Sequence, residues 1–126
     1  MSTSFQLHNN SLKELPHNIE AEQGILGAIL LNNEIFFDIS ETINVEHFYE
    51  PVHKLIFDVI GKMISKGQIA TPITLKSFFE VEKNLEEIGG SNYLVRLANS
   101  AVSLDYAKNY AHIIYNLAVR RGLYEL

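Results

Sequence analysis

Five histidines, His8, His17, His47, His53 and His112, are the side chains best suited to ligate a metal or move a proton near neutral pH. Only His47 and His53 lie close together. They are six positions apart with Pro51 between them, so one helix face cannot present both to a single ion. Their simpler use is hydrogen bonding that anchors a loop or a helix end. Gly61-Lys62 has part of a phosphate-loop pattern, but Ile56 stands five before the glycine and Met63 follows where Ser or Thr would hold a metal. Gly24-Ile25-Leu26-Gly27 has no Lys or Arg beside it to clamp phosphate or RNA, and close approach of another helix is the better use of its glycines. Glu20, Glu22, Asp38, Asp58, Glu86 and Glu87 are scattered as on solvated helix faces, with nothing that pairs two of them in a cleft for acid and base work. Ser100 and Ser103 lack a nucleophile elbow, and Ser103 is placed to cap a helix. The chain has no cysteine, so thiolate ligands, a cysteine nucleophile and disulfides are all excluded, which is compatible with a reducing cytosol. No catalytic, cofactor-binding or metal-binding residue is expected.

The elements that would carry these residues read as all-α. At 126 residues the chain suits one domain. Residues 1–15 are polar and rich in Ser and Asn, which reads as a flexible tail. Leu15-Pro16 introduces a first helix capped by Asn18, with Glu20 and Glu22 in its first turn and a nearly continuous apolar run to Leu30. A short helix follows from about Asn33 to Thr42. Pro51 suits the first turn of a third helix, whose stripe Val52, Leu55, Ile56, Val59, Ile60 and Met63 ends at Lys66-Gly67. Thr74 is placed to cap a fourth helix, Leu75 to Val81. A fifth runs from about Ser91 to Ala98 after Gly89-Gly90. Residues 16–100 thus form a helical head. The net charge is −5, and the only adjacent basic pair is Arg120-Arg121, which argues against tight duplex binding. No apolar run approaches the roughly 20 residues that span a bilayer, and no membrane association is expected.

The last stretch, Ser103 to Leu126, has the propensities of one long helix. Ala107, Tyr110, Ile114, Leu117 and Tyr124 form a seam along it, and Leu104, Ala111, Tyr115 and Ala118 widen the apolar surface beyond half the circumference. That is more than one neighbouring face usually covers, so the helix is expected to meet a partner. Tyr106, Tyr110, Ile114, Leu117 and Tyr124 are the expected contact residues, with Arg120 and Arg121 supplying charge contacts. Replacing Ile114 and Leu117 by aspartate should then abolish self-association while the head stays helical. Two other classes compete with this reading. A small all-helical nucleic-acid-binding module would show salt-sensitive duplex affinity, and a stand-alone enzyme would show a pocket with convergent polar groups.

Four runs of residues carry a resemblance. Leu15-Pro16-His17-Asn18-Ile19-Glu20-Ala21-Glu22-Gln23-Gly24-Ile25-Leu26-Gly27-Ala28-Ile29-Leu30 contains a proline followed by an AEQ-x-x-LG-x-x-L pattern. His47-Phe48-Tyr49 precedes Val52-His53-Lys54-Leu55-Ile56-Phe57. Leu85-Glu86-Glu87-Ile88-Gly89-Gly90 leads to Tyr93-Leu94, and Tyr110-Ala111-His112-Ile113-Ile114 leads to Arg120-Arg121. In this order and spacing they resemble the amino-terminal domain of bacterial replicative DNA helicases of the DnaB type, over nearly everything after residue 15. The resemblance implies a helical head followed by a helical hairpin, of which residues 101–126 would be the first arm, cut before the second. It implies hairpins paired between subunits, building a collar that is a trimer of dimers in a hexamer. It further implies docking of primase, a possible response to a helicase loader, and a cytoplasmic setting. Duplex unwinding, with its ATP and magnesium, would belong to a carboxy-terminal RecA-like domain absent here, and DNA would be met through the parent ring. The chain departs from the family pattern at Val102 and Tyr106, where proline and asparagine are common, and at His47, where an acidic residue is common.

Overall fold

The computed structural model describes residues 14–79, 86 and 89–125. The described residues form six α-helices and one 3-10 turn, with no strand among them. In chain order these are α1 (Ile19–Leu31), α2 (Ile35–Ile39), the 3-10 turn (Val45–His47), α3 (Pro51–Ser65), α4 (Pro72–Phe79), α5 (Asn92–Asn99) and α6 (Leu104–Glu125). The expected tail falls largely outside the described residues, as do parts of the LEEIGG run.

The first helix is the axis of the fold. Asn18 caps it, its side-chain oxygen accepting the Ala21 N–H at 3.0 Å. Nine of its thirteen residues are buried, as its continuous apolar run requires. Its main neighbours are α5 and α6. Two glycines permit this: a Cβ at Gly27 would lie on the Leu97 carbonyl oxygen of α5, and one at Gly24 would crowd Val102 Cγ1 and the Tyr110 ring at 3.1 and 3.2 Å. The close helix approach expected of Gly24 and Gly27 is therefore present. Asn33, just past α1, ties the chain ahead of α4 to this axis: its amide donates to the Ile29 and Ala70 carbonyls and its oxygen accepts the Ala70 N–H.

Two helix starts differ from expectation. The fourth helix begins at Pro72, because proline fits its first turn. Thr71 therefore precedes it and exchanges hydrogen bonds with Thr74, its hydroxyl accepting the Thr74 N–H at 3.1 Å and the Thr74 hydroxyl accepting its N–H at 2.8 Å. Thr74 thus closes the box from inside the helix. The α2 helix is shorter than Asn33 to Thr42, because Asn33 is occupied by the loop contacts above.

Ala107, Ala111 and Ile114 of the long helix join Ile25, Leu26, Ile29, Ile56, Ile60, Leu94 and Leu97 in one core. The long helix is therefore part of the head's packing. No helix among the described residues is long and apolar enough to cross a membrane.

Candidate protein interface

The long helix α6 has two kinds of surface. The face carrying Ala107, Ala111 and Ile114 is at most 1% exposed and lies against the chain's own core. On its flanks Leu104, Tyr106, Ile113, Tyr115 and Val119 remain 38%, 61%, 40%, 42% and 48% exposed. Tyr106 and Ile113 are seven apart and share one stripe; Leu104, Tyr115 and Val119 share another across the helix. Tyr115 borders the head, its ring edge-on to His47 at 5.2 Å.

These positions correct the expected partner seam. Ile114 is sequestered in its own core, Tyr110 packs against that core beside Gly24, and Leu117 is half-buried. Small residues explain the outcome: Ala107 and Ala111 let the helix approach α1 closely, so the face they lie on docks inward and carries Ile114 with it. Replacing Ile114 and Leu117 by aspartate would therefore strike the head itself. Tyr106 and Arg120 face outward, and the Tyr124 side chain lies outside the described residues. Arg121 also turns inward and is 8% exposed. Its Nη1 donates to the Pro16 carbonyl at 2.9 Å and its Nη2 to the His47 carbonyl at 2.6 Å, while its guanidinium lies 5.4 Å from the Tyr49 ring centre. A charge satisfied this way by its own chain is not offered to a neighbour.

Behind this surface lies a polar network. Glu22, expected on a solvated face, is 1% exposed and His53 is fully buried. Gln23 Nε2 donates to the Tyr93 hydroxyl at 3.1 Å, that hydroxyl donates to His53 Nε2 at 2.6 Å, and His53 Nδ1–H donates to Glu22 Oε1 at 2.7 Å. The same carboxylate accepts the N–H groups of Tyr49 and Glu50 at 2.7 and 3.3 Å. These N–H groups stand at the start of α3, where Glu50 makes no side-chain cap, so Glu22 caps α3 from another helix. Burial, the main cause, pushes the Tyr93 hydroxyl above its usual range, opposed by the Gln23 hydrogen bond. It therefore stays protonated as the donor the network needs. No buried side-chain nitrogen or oxygen among the described residues lacks a partner, as a stable polar core demands. His47 anchors the turn before it, its Nδ1 accepting the Asn44 N–H at 2.9 Å in a capping box. Both histidines thus serve as anchors, as their spacing led one to expect.

The family whose pattern this helical chain matches is the one described as DnaB-like helicase N terminal domain. That family matches residues 14–116. The chain belongs to it. The replicative DNA helicase DnaB of Rickettsia typhi is 47% identical over 109 residues, which are 86% of this chain and 22% of that protein. That of Buchnera aphidicola subsp. Acyrthosiphon pisum is 36% identical over 94 residues, 75% of this chain and 20% of that protein. The chain thus spans about a fifth of the length of the curated relatives it matches. Among solved structures, the N-terminal domain of DnaB helicase from Mycobacterium tuberculosis superposes with a TM-score of 0.80 at 30% identity, covering 89% of this chain and 81% of that one. A DnaB-like replicative helicase, described with its interactions with primase, superposes with a TM-score of 0.68 at 28% identity, covering 86% of this chain and 25% of that one.

Within this DnaB-like domain, sequence reasoning missed Glu22, Gln23, Tyr93 and the 3-10 turn. The available signal was a glutamate bordered by Ala21 and, past Gln23, by Gly24 at the head of a long apolar run, a place where a charge needs partners. Which partners these were depended on His53 and Tyr93, far away in the chain.

Proposed function

We propose that this chain is the assembly domain of a hexameric replicative DNA helicase, pairing with other subunits and docking primase, while ATP- and magnesium-dependent unwinding is carried out by a carboxy-terminal RecA-like domain of the parent protein. The observation that carries this reading is the two-sided α6: one face is docked in its own core, and five large apolar side chains are left 38–61% exposed on the other surfaces. Exposed apolar stripes of this kind on a helix are what partner helices bury. Tyr106 and Ile113 are its centre, with Arg120 one further heptad along the same stripe. Primase enters through the likeness to the helicase described with its primase interactions. The same family membership supports trimer-of-dimers collar assembly, response to a loader, passage of DNA through the parent ring and a cytoplasmic setting as parts of this reading.

The test is self-association of the 126-residue chain by light scattering, with Tyr106→Asp and Ile113→Asp introduced together. Both side chains are exposed, so the helical circular dichroism should persist while the association constant falls at least about tenfold, as loss of central aromatic and branched contacts predicts. A monomeric parent chain, or an oligomer unchanged by the pair, would refute assembly through this stripe.

A further inference from the structure

Residues 47–50 are gripped from two directions. From the outside, Arg121 in the last part of α6 holds the His47 carbonyl at 2.6 Å, and its guanidinium lies over the Tyr49 ring, which stacks on His17 at 4.1 Å. From the inside, the Glu22 carboxylate holds the Tyr49 and Glu50 N–H groups and, through the same oxygens, His53. Between the two grips sits Phe48, 1% exposed, with its ring 5.0 Å from that of Phe57.

We infer that residues 47–50 form a strap that couples the seating of the far end of α6 to the buried Glu22–His53–Tyr93 network, each side stabilising the other. The coupling is a matter of spacing. The carbonyl that Arg121 holds and the first N–H that Glu22 holds are separated by one residue, and the buried ring of Phe48 fixes that residue. A displacement at His47 therefore cannot be absorbed before it reaches Tyr49. At Glu22 water does not compensate, because the carboxylate is 1% exposed, and a buried anion that loses a donor keeps its full desolvation penalty. At the other end Arg121, 8% exposed, needs both carbonyls in place to remain inside. Tyr115 adds a second contact between α6 and the strap through the His47 ring. Room for movement exists as well: a cavity of about 420 Å³ opens beside the strap, with Phe48, Tyr49, Lys54, Ala118 and Arg121 among its walls. The angle at which α6 presents its exposed stripes is then set from within the head, by the buried Glu22, Phe48 and Arg121.

Amide hydrogen exchange of the 126-residue chain tests this whether or not α6 pairs with another subunit. In Arg121→Gln the Tyr49 and Glu50 amides should exchange about tenfold faster than in the parent, relative to the amides of Ile25 to Ile29 that report global opening. In Glu22→Gln the amides of residues 117–122 should accelerate relative to the same reference. Arg121→Lys keeps the charge and the fold, but a single ammonium cannot bridge two carbonyls as the guanidinium does; it should move the Tyr49 and Glu50 amides in the same direction. In urea unfolding, the double variant Glu22→Gln with Arg121→Lys should lose about fivefold less in folding constant than the product of the two single losses. Parent-like exchange at Tyr49 and Glu50 in Arg121→Lys, or single losses that simply multiply, would overturn the strap.

Discussion

Tyr93 shows how much one oxygen decides in a sealed place. Its hydroxyl accepts from Gln23 and donates to His53, so Tyr93→Phe removes one atom and leaves the buried His53 Nε2 and the part-buried Gln23 amide without this partner. The expected loss is about 1–3 kcal/mol in urea unfolding, the penalty of unpaired buried polar groups. A loss below about 0.5 kcal/mol, the range of ordinary surface changes, would mean the network is not what holds these helices. His47 gives the chain a pH dependence of known sign. Burial is the main cause that lowers its pKa from 6.5, the Arg121 charge adds to this, and Glu46 opposes it. The unfolded chain therefore takes the proton first as pH falls. The stability His47 contributes is complete above about 6.5 and is lost as pH drops from there through the lower folded value. Protonation also abolishes the lone pair that accepts the Asn44 N–H. Unfolding free energy should decline as pH falls below about 6.5, and His47→Gln should flatten that slope; an identical slope in the variant would exclude His47 as its source.

Among the elements, α1 is constrained most. Alanine is ordinarily the better helix former than glycine by about 1 kcal/mol. At Gly27 that gain is overridden, since the added carbon would occupy the space of the Leu97 carbonyl oxygen and force α5 outward. Gly27→Ala should destabilise by about 1–3 kcal/mol in thermal or urea unfolding, and a stabilised variant would contradict the close approach of α1 and α5. The α3 helix shows the converse dependence. Its first residue is proline and its own preceding Glu50 makes no cap, so its start relies on a carboxylate from α1. The long α6 is divided along its length, with Ala107, Ala111 and Ile114 inward and large apolar side chains on the flanks, so docking onto the head and the proposed pairing with another chain would use different parts of one helix.

At the scale of the molecule the consequence is that the proposed assembly and folding would share α6, and a substitution there would report on one or the other according to which face it occupies. Tyr106 and Ile113 test association, whereas Ile114 tests the head. The sequence by itself determined the helices and the family. Periodic stripes such as Val52, Ile56, Ile60 and Met63, the Asn18 cap and Pro51 act over one or two turns, and such signals survive in a linear chain. It also determined that α6 carries more apolar surface than one neighbour covers. Only the tertiary structure decided which side of α6 docks, because the room is made on α1, where the missing side chain of Gly24 leaves space for the Tyr110 ring and Val102. It alone decided that Arg121 turns inward and that Glu22 is a buried cap. The partners of these charges are a carbonyl at Pro16, a carbonyl at His47 and two N–H groups ahead of Pro51, and backbone groups leave no mark in the residue types.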